Sequence, residues 1–436
     1  MSKFLIVIAS LFWVATSFAA NTLETLSSCL RSGLENSYSL QIVRNEEQAH
    51  HNNATRANAG QLPTVYIDGD YSSDFDKTKY SSNGTTTRTT PTEHDWSLGL
   101  SAAWTVFDGF RIEAAYDRLM ELKRQSIITT RVELENYIAG LAAEYYNYIH
   151  QRSRLRNYQY AVNLSRERLR IVEARYHVGN FSRLDYQQAK VDFNVDSANL
   201  IKQHEVVSSS QITLNEMMSN EDFDTFIEPY DTIIKLNTSL RYDHILDNAM
   251  ESNAQLKQAA QSVAISEIDL REVLSRNYPY VGFSTWYGYS KDYTRSTVNS
   301  RTGTLGLNVA LSVDFYLFDG TRRSKRQNAE LDIANAKLKE KDIDIKIRSD
   351  LSNIWQAYIN NQSLLSLEQS SLIAAKDNYE IAMERYMLGD LSGIEMREAQ
   401  QSLLDAEERI LEATFNIKLC EISLLQISGA ITSYLE

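Results

Sequence analysis

The chain has few of the residues that break, staple or anchor a polypeptide. Only four prolines and 16 glycines occur in 436 residues. None of the prolines lies between positions 108 and 176, and glycine appears there only at Gly109 and Gly140. Two cysteines, Cys29 and Cys420, are too few for a disulfide framework. They leave open a single bridge in an exported protein or two unpaired buried thiols. Positive charge is in deficit, 44 Lys and Arg against 57 Asp and Glu, for a net −13. That balance argues against nucleic acid, whose phosphates need a basic face. No segment after the N-terminus approaches 18 consecutive apolar residues, so no spanning helix is expected in the mature chain. Chemistry-bearing motifs are missing too. The seven histidines show no H-x-x-x-H or Cys-His ligand spacing, and there is no G-x-S-x-G, phosphate loop or dinucleotide fingerprint. The expectation is a protein that is not an enzyme and holds no cofactor and no metal.

The N-terminus reads as a secretory signal over residues 1–19. Lys3 supplies the positive region, residues 4–14 the apolar one, and Ser17 and Ala19 the small positions before cleavage.

What is present is a repeat. Arg175-Tyr176-His177-Val178-Gly179-Asn180-Phe181-Ser182 returns as Arg385-Tyr386-Met387-Leu388-Gly389-Asp390-Leu391-Ser392. Phe107-Asp108-Gly109 returns as Phe318-Asp319-Gly320, and Pro63 as Pro279. Three landmarks in one order at nearly constant offset indicate a tandem duplication. The repeats are read as 20–219 and 242–436, joined by a linker over 220–241 that holds Pro229.

Each half reads as helix, strand, loop, strand, long helix, turn, helix. Trp96, Leu98, Leu100, Ala102, Trp104 and Val106 alternate with small or polar residues. So do Leu305, Leu307, Val309, Leu311, Val313 and Phe315. Their partner strands begin after Pro63 and Pro279, and the polar segments 72–94 and 290–304 read as exposed loops. One apolar face with aromatics at its margins is a membrane β-strand pattern. A half-buried strand of a soluble sandwich is the alternative. The breaker-free runs that follow are about 70 residues each, roughly 100 Å of helix at 1.5 Å per residue. Leu155, Tyr158, Val162, Leu169, Val172 and Tyr176, and in the second half Leu365, Leu372, Ala375, Tyr379, Ala382 and Tyr386, follow heptad spacing. Four strands cannot close a barrel, and open edges are not tolerated in lipid. Three chains would supply twelve strands, an even number in the bacterial range.

The two Arg-Tyr-x-x-Gly turns, the two Phe-Asp-Gly junctions and the prolines before the strands resemble the outer-membrane efflux proteins of the TolC type, over about residues 23–427. The resemblance implies an α+β membrane protein. A homotrimer would build a 12-stranded transmembrane β-barrel and a long α-helical coiled-coil barrel in the periplasm. It implies an outer-membrane channel that serves efflux or type I secretion, joined by a periplasmic adaptor protein to an inner-membrane pump or ABC transporter. A periplasmic coiled-coil envelope protein without a pore is the alternative reading. By the same resemblance the turns carrying Gly179, Ser182, Gly389 and Ser392 form the periplasmic tip. Glu395 and Glu398 would form an acidic gate ring, and closing contacts would map onto Asp185 and Tyr386. The basic partner expected two residues after Gly389 is Leu391 here, and Arg183 is the candidate to take its place. From the residues alone, Ser182 with Asp185 and Ser392 with Glu395 fit capping boxes that start helices. Asp108, Gly109, Asp319 and Gly320 mark the passage from strand to helix.

Overall fold

The computed structural model describes residues 23–82, 84–223, 225–295 and 299–435. The signal segment 1–19 lies outside them. The chain opens with β1 (Leu23–Glu24), α1 (Leu26–Asn36) and α2 (Tyr38–Asn53). Strands β2 (Thr64–Phe75), β3 (Thr78–Ser82), β4 (Thr85–Thr89) and β5 (Thr92–Phe107) follow. Then come α3 (Arg111–His177), α4 (Arg183–Met217), β6 (Glu228–Pro229), α5 (Tyr242–Ser252) and α6 (Ala254–Leu274). The second strand pair is β7 (Tyr280–Arg295) and β8 (Ser300–Asp314), followed by α7 (Arg322–Leu388) and α8 (Gly393–Ile427). Both α3 and α7 have 67 residues, and both α4 and α8 have 35. The absence of internal proline permits helices of this length.

The chain divides into two compact units. One comprises Ser39–Leu134 and Leu246–Asp350; the other comprises Glu135–Ile245, Leu351–Glu436 and the chain up to Tyr38.

The first unit carries an antiparallel sheet in the order β2-β5-β7-β8, with β2 and β8 as open edges. Its ladders put Ile67 beside Leu100, Leu98 beside Tyr289 and Tyr289 beside Leu305, so the alternating apolar residues read from the sequence share one face. That face is uncovered: Leu307 is 66% and Leu311 67% exposed. The segments 72–94 and 290–304 are not the loops expected from composition. β2 and β5 stay paired out to Phe75 and Thr92, and β7 and β8 to Thr294 and Ser300. Between β2 and β5, β3 and β4 make a separate two-stranded ribbon. Hydrogen-bonded pairing continues where the apolar alternation ends, because the ladder needs only backbone groups.

The second unit is helical. Tyr145, Tyr148, Ile138, Leu141, Ile149, Leu214 and Ile417 fill its core. The segment 220–241 is tied to these helices. Tyr148 donates to the Ile227 carbonyl (2.9 Å), Tyr358 to the Asn237 carbonyl (2.6 Å), and the Asn237 amide to Glu421 (2.6 Å). Leu23 and Glu24 pair in parallel with Glu228 and Pro229, a contact without a sequence signal at two residues' length. Cys29 and Cys420 are both free thiols; burial pushes Cys29 up to about 12.

Candidate functional site: the paired helix turns and the strand-to-helix junctions

α3 and α7 end in the same way. The Gly179 amide donates to the Tyr176 carbonyl (3.0 Å) and the Asn180 amide to Arg175 (2.9 Å). The Gly389 amide donates to Tyr386 (3.2 Å) and the Asp390 amide to Arg385 (2.9 Å). This six-to-one and five-to-two pattern closes the helix through a left-handed residue, which favours glycine. Gly179 has φ +80° and Gly389 φ +90°.

The next helices start at once. The Asp185 amide donates to the Ser182 hydroxyl (3.2 Å), and the Ser182 amide to the Asp185 carboxylate (3.0 Å). Ser392 and Glu395 repeat both bonds at 3.2 and 3.0 Å. Both capping boxes read from the sequence are therefore formed. Hydrogen bonds from Ser392 hold the Glu395 carboxyl below its ordinary range. Glu395 and Glu398 are both exposed, three residues apart on α8 and so on neighbouring positions of one face.

Tyr386 is 1% exposed and packs in a cluster with Val172, Ala189, Tyr379, Met396 and Leu403. Burial pushes its hydroxyl up; the charge of Arg168 opposes this and that of Asp185 adds to it. Leu391, where a basic residue was expected, packs against the same cluster. Arg183 is exposed.

Three other arginines cross-link the helices around these turns; the sequence reading met Arg175 only as part of the repeated turn motif and did not single out Arg397 or Arg168. Arg175 donates to the Tyr386 carbonyl (3.2 Å) and to the Met387 carbonyl, linking the end of α3 to the end of α7. Arg397 makes a two-pronged bond to Asp196 (2.7 Å each), linking α8 to α4. Arg168, 3% exposed, pairs with Asp192. Asp192 and Asp196 stand four apart on α4, both nearly buried. Two carboxylates at that spacing on an otherwise inward-facing stripe were the available signal.

The strand-to-helix junctions differ from each other. Asp108 accepts from the Ile112 amide (3.1 Å) and pairs with Arg111 (3.2 Å). Gly109 has φ +71°, and a Cβ there would lie 2.2 Å from the Ser275 carbonyl oxygen, so only glycine fits. Asp319 instead caps the turn through the Thr321 amide (2.9 Å), and Gly320 has no positive φ.

The sequence profile described as outer membrane efflux protein matches residues 30–220 and 245–430. The chain belongs to this family. The outer membrane efflux proteins, of the TolC type, are outer-membrane channels and not enzymes. Solved structures with the same fold include a membrane protein from Pseudomonas aeruginosa, with TM-score 0.79 at 14% identity over 93% of this chain and 90% of that one. They include VceC of Vibrio cholerae, an outer membrane protein, with TM-score 0.75 at 15% identity over 93% of this chain and 96% of that one. The CmeC outer membrane channel of Campylobacter jejuni gives TM-score 0.75 at 15% identity, over 93% and 85%. No curated protein matches the sequence. Among the described residues, no helix is long and apolar enough to cross a membrane, and no group of three or more His, Cys, Asp or Glu is placed to hold a metal.

Proposed function

We propose that this protein is the outer-membrane exit duct of an efflux or type I secretion system. Its signal, residues 1–19, is cleaved, and its two repeats, 20–219 and 242–436, arose by duplication around the linker 220–241. Three chains contribute four strands each to one 12-stranded barrel, and the long helices build a periplasmic conduit. A periplasmic adaptor joins the conduit to an inner-membrane pump or ABC transporter, which supplies the energy. Conduction is passive and is gated at the turns around Gly179 and Gly389, where Glu395 and Glu398 form the acidic ring. Arg397, Arg168 and Arg175 hold the helices there, in place of the absent basic residue at Leu391.

One observation carries this reading: a four-stranded sheet with two open edges and one bare apolar face. In water both features favour aggregation. In a closed multi-chain barrel the edges pair and the apolar face meets lipid. Leu331, Leu338 and Ile345 on α7, exposed at seven-residue spacing, fit helix packing against another copy. Purified protein in a planar bilayer should give discrete conductance steps. A soluble, non-conducting monomer would support the pore-free coiled-coil alternative instead.

A further inference from the structure

Charge on the four-stranded sheet is sorted by face. One face carries Asp68, Asp70 and Asp74 on β2, Glu93 and Asp95 on β5, Asp292 on β7 and Asp314 on β8. No Lys, Arg or His stands on that face among the described strand residues. The opposite, apolar face carries no carboxylate among the described strand residues, and its lysine, arginine and histidine side chains are Lys291, Arg295, Arg301 and His94.

All four sit at the hairpin end, away from the strand-to-helix junctions. Leu98, Tyr289 and Leu305 form the last apolar row. Tyr71, Trp96 and Lys291 form the next row, and Ser73, His94, Tyr293 and Arg301 the one after it. At about 3.3 Å per residue, Lys291 lies about 7 Å and Arg301 about 13 Å past that apolar row along the strands. The outer row is built rather than scattered. His94 stacks between Tyr71 (6.4 Å) and Tyr293 (6.1 Å), and its Nδ1 lies 2.9 Å from the Ser73 hydroxyl. The Arg301 guanidinium lies over the Tyr293 ring at 5.1 Å. Further out, Lys79 stands directly opposite Arg88 on the β3–β4 ribbon, and both are exposed. Like charges at directly opposed positions are unfavourable without an anion between them.

We infer that this cationic, aromatic-backed band binds the phosphates of the lipopolysaccharide that forms the outer leaflet around the barrel. The inference rests on the channel reading, which puts the apolar face in lipid and the hairpin end outward. A phosphorylated glycolipid with several acyl chains matches the order of rows. Its acyl chains lie on Leu98, Leu305 and Leu307, and its sugar rings meet Tyr71, Trp96 and Tyr293. Its phosphates meet Lys291, Arg295 and Arg301. Arg and Lys form their stronger hydrogen bonds with such ionised oxygens. The carboxylate-free face is what an anionic headgroup requires, and the acidic opposite face would repel it.

The test compares lipids on the full-length protein purified from outer membranes. Labelled bis-phosphorylated lipid A is competed by unlabelled lipid A, by dephosphorylated lipid A and by phosphatidylglycerol. Bis-phosphorylated lipid A should compete about tenfold better than either of the others, a ratio in the range of one or two charge-assisted bonds. The triple variant Lys291→Gln, Arg295→Gln, Arg301→Gln should lose that preference. A control triple variant at three exposed helix lysines, Lys190, Lys202 and Lys257, removes the same charge and should keep it. Equal competition by dephosphorylated lipid A or by phosphatidylglycerol would overturn the assignment, as would an unchanged preference in the band variant. Conductance of each variant is recorded in lipid free of lipopolysaccharide. Loss of conductance in the unmodified protein sinks the channel reading, whereas the lipid comparison needs only the folded sheet and is read independently.

Discussion

His150 shows how a single buried side chain sets a pH limit on the helical unit. It stacks on Phe415 at 4.8 Å with the rings nearly parallel, and is 7% exposed. Burial first, and the charge of Arg154 second, pull its pKa from 6.5 down to about 4. The folded protein therefore keeps the ring neutral while the unfolded chain takes up a proton below 6.5. Above pH 6.5 the group adds no slope to stability. As pH falls from 6.5 towards 4, the unfolded state gains, by up to about 3 kcal/mol at the lower end. Unfolding midpoints measured across that window should fall less steeply in His150→Gln than in the unmodified protein. Parallel slopes would show that His150 does not titrate this way. A second residue, Glu395, illustrates a different limit. Its exposed carboxylate closes a helix cap and is also the first member of the proposed gate ring, so removing it changes two things at once. Replacement by glutamine, which still accepts from the Ser392 amide, separates them.

At the scale of elements, the sheet makes a sharp demand on which residue faces where. Leu307 and Asn308 are neighbours on β8 that point to opposite faces. Arginine at Leu307 should cost about 2–4 kcal/mol near the bilayer midplane, whereas lumen-side positions tolerate polarity. Asn308→Arg should therefore assemble normally while Leu307→Arg does not, as seen by heat-resistant oligomer on gels and by conductance. Equal tolerance at both positions would contradict the lipid-facing assignment. This alternation was legible in the sequence because a period of two needs only local residues. The two helix turns were legible for the same reason: glycine terminators and Ser-x-x-acid starts act within six residues. The ends of the strands were not. Past Trp96 and Leu305 the residues of β5 and β8 become polar on both faces, and pairing there is decided by the partner backbone rather than by composition. The Arg397–Asp196 and Arg168–Asp192 links were also hidden, because they depend on which faces of distant helices meet. Ser165 interrupts the heptad in the sequence yet is fully buried, its hydroxyl donating to the Ala161 carbonyl one turn back (3.0 Å). Its internal bond makes the small polar residue compatible with the seam.

For the whole molecule, the acidity that at first excluded nucleic acid becomes specific once the charges are placed. The sheet puts its carboxylates on one face and its cations on the other, so the proposed barrel has an acidic lumen as well as an acidic tip. Two cation-selective regions would then lie in series. They should differ in range. A wide lumen holds its ions far from the wall, and its field reaches them only over the screening length, about 8 Å at physiological salt and about 3 Å at 1 M. A constriction lined by Glu395 and Glu398 from several chains brings ions within a few ångströms of carboxylate, by the logic of acidic selectivity rings. Asp95→Asn with Asp292→Asn, a directly opposed pair in the β5–β7 ladder, should lower cation selectivity in dilute salt and leave it nearly unchanged at 1 M. Glu395→Gln with Glu398→Gln should lower selectivity at both, and weaken block by multivalent cations. Reversal potentials across a salt gradient in planar bilayers measure this directly. Full selectivity in the Glu395 and Glu398 double variant at high salt would remove these residues from the gate, leaving them as a helix cap and its neighbour on an exposed face.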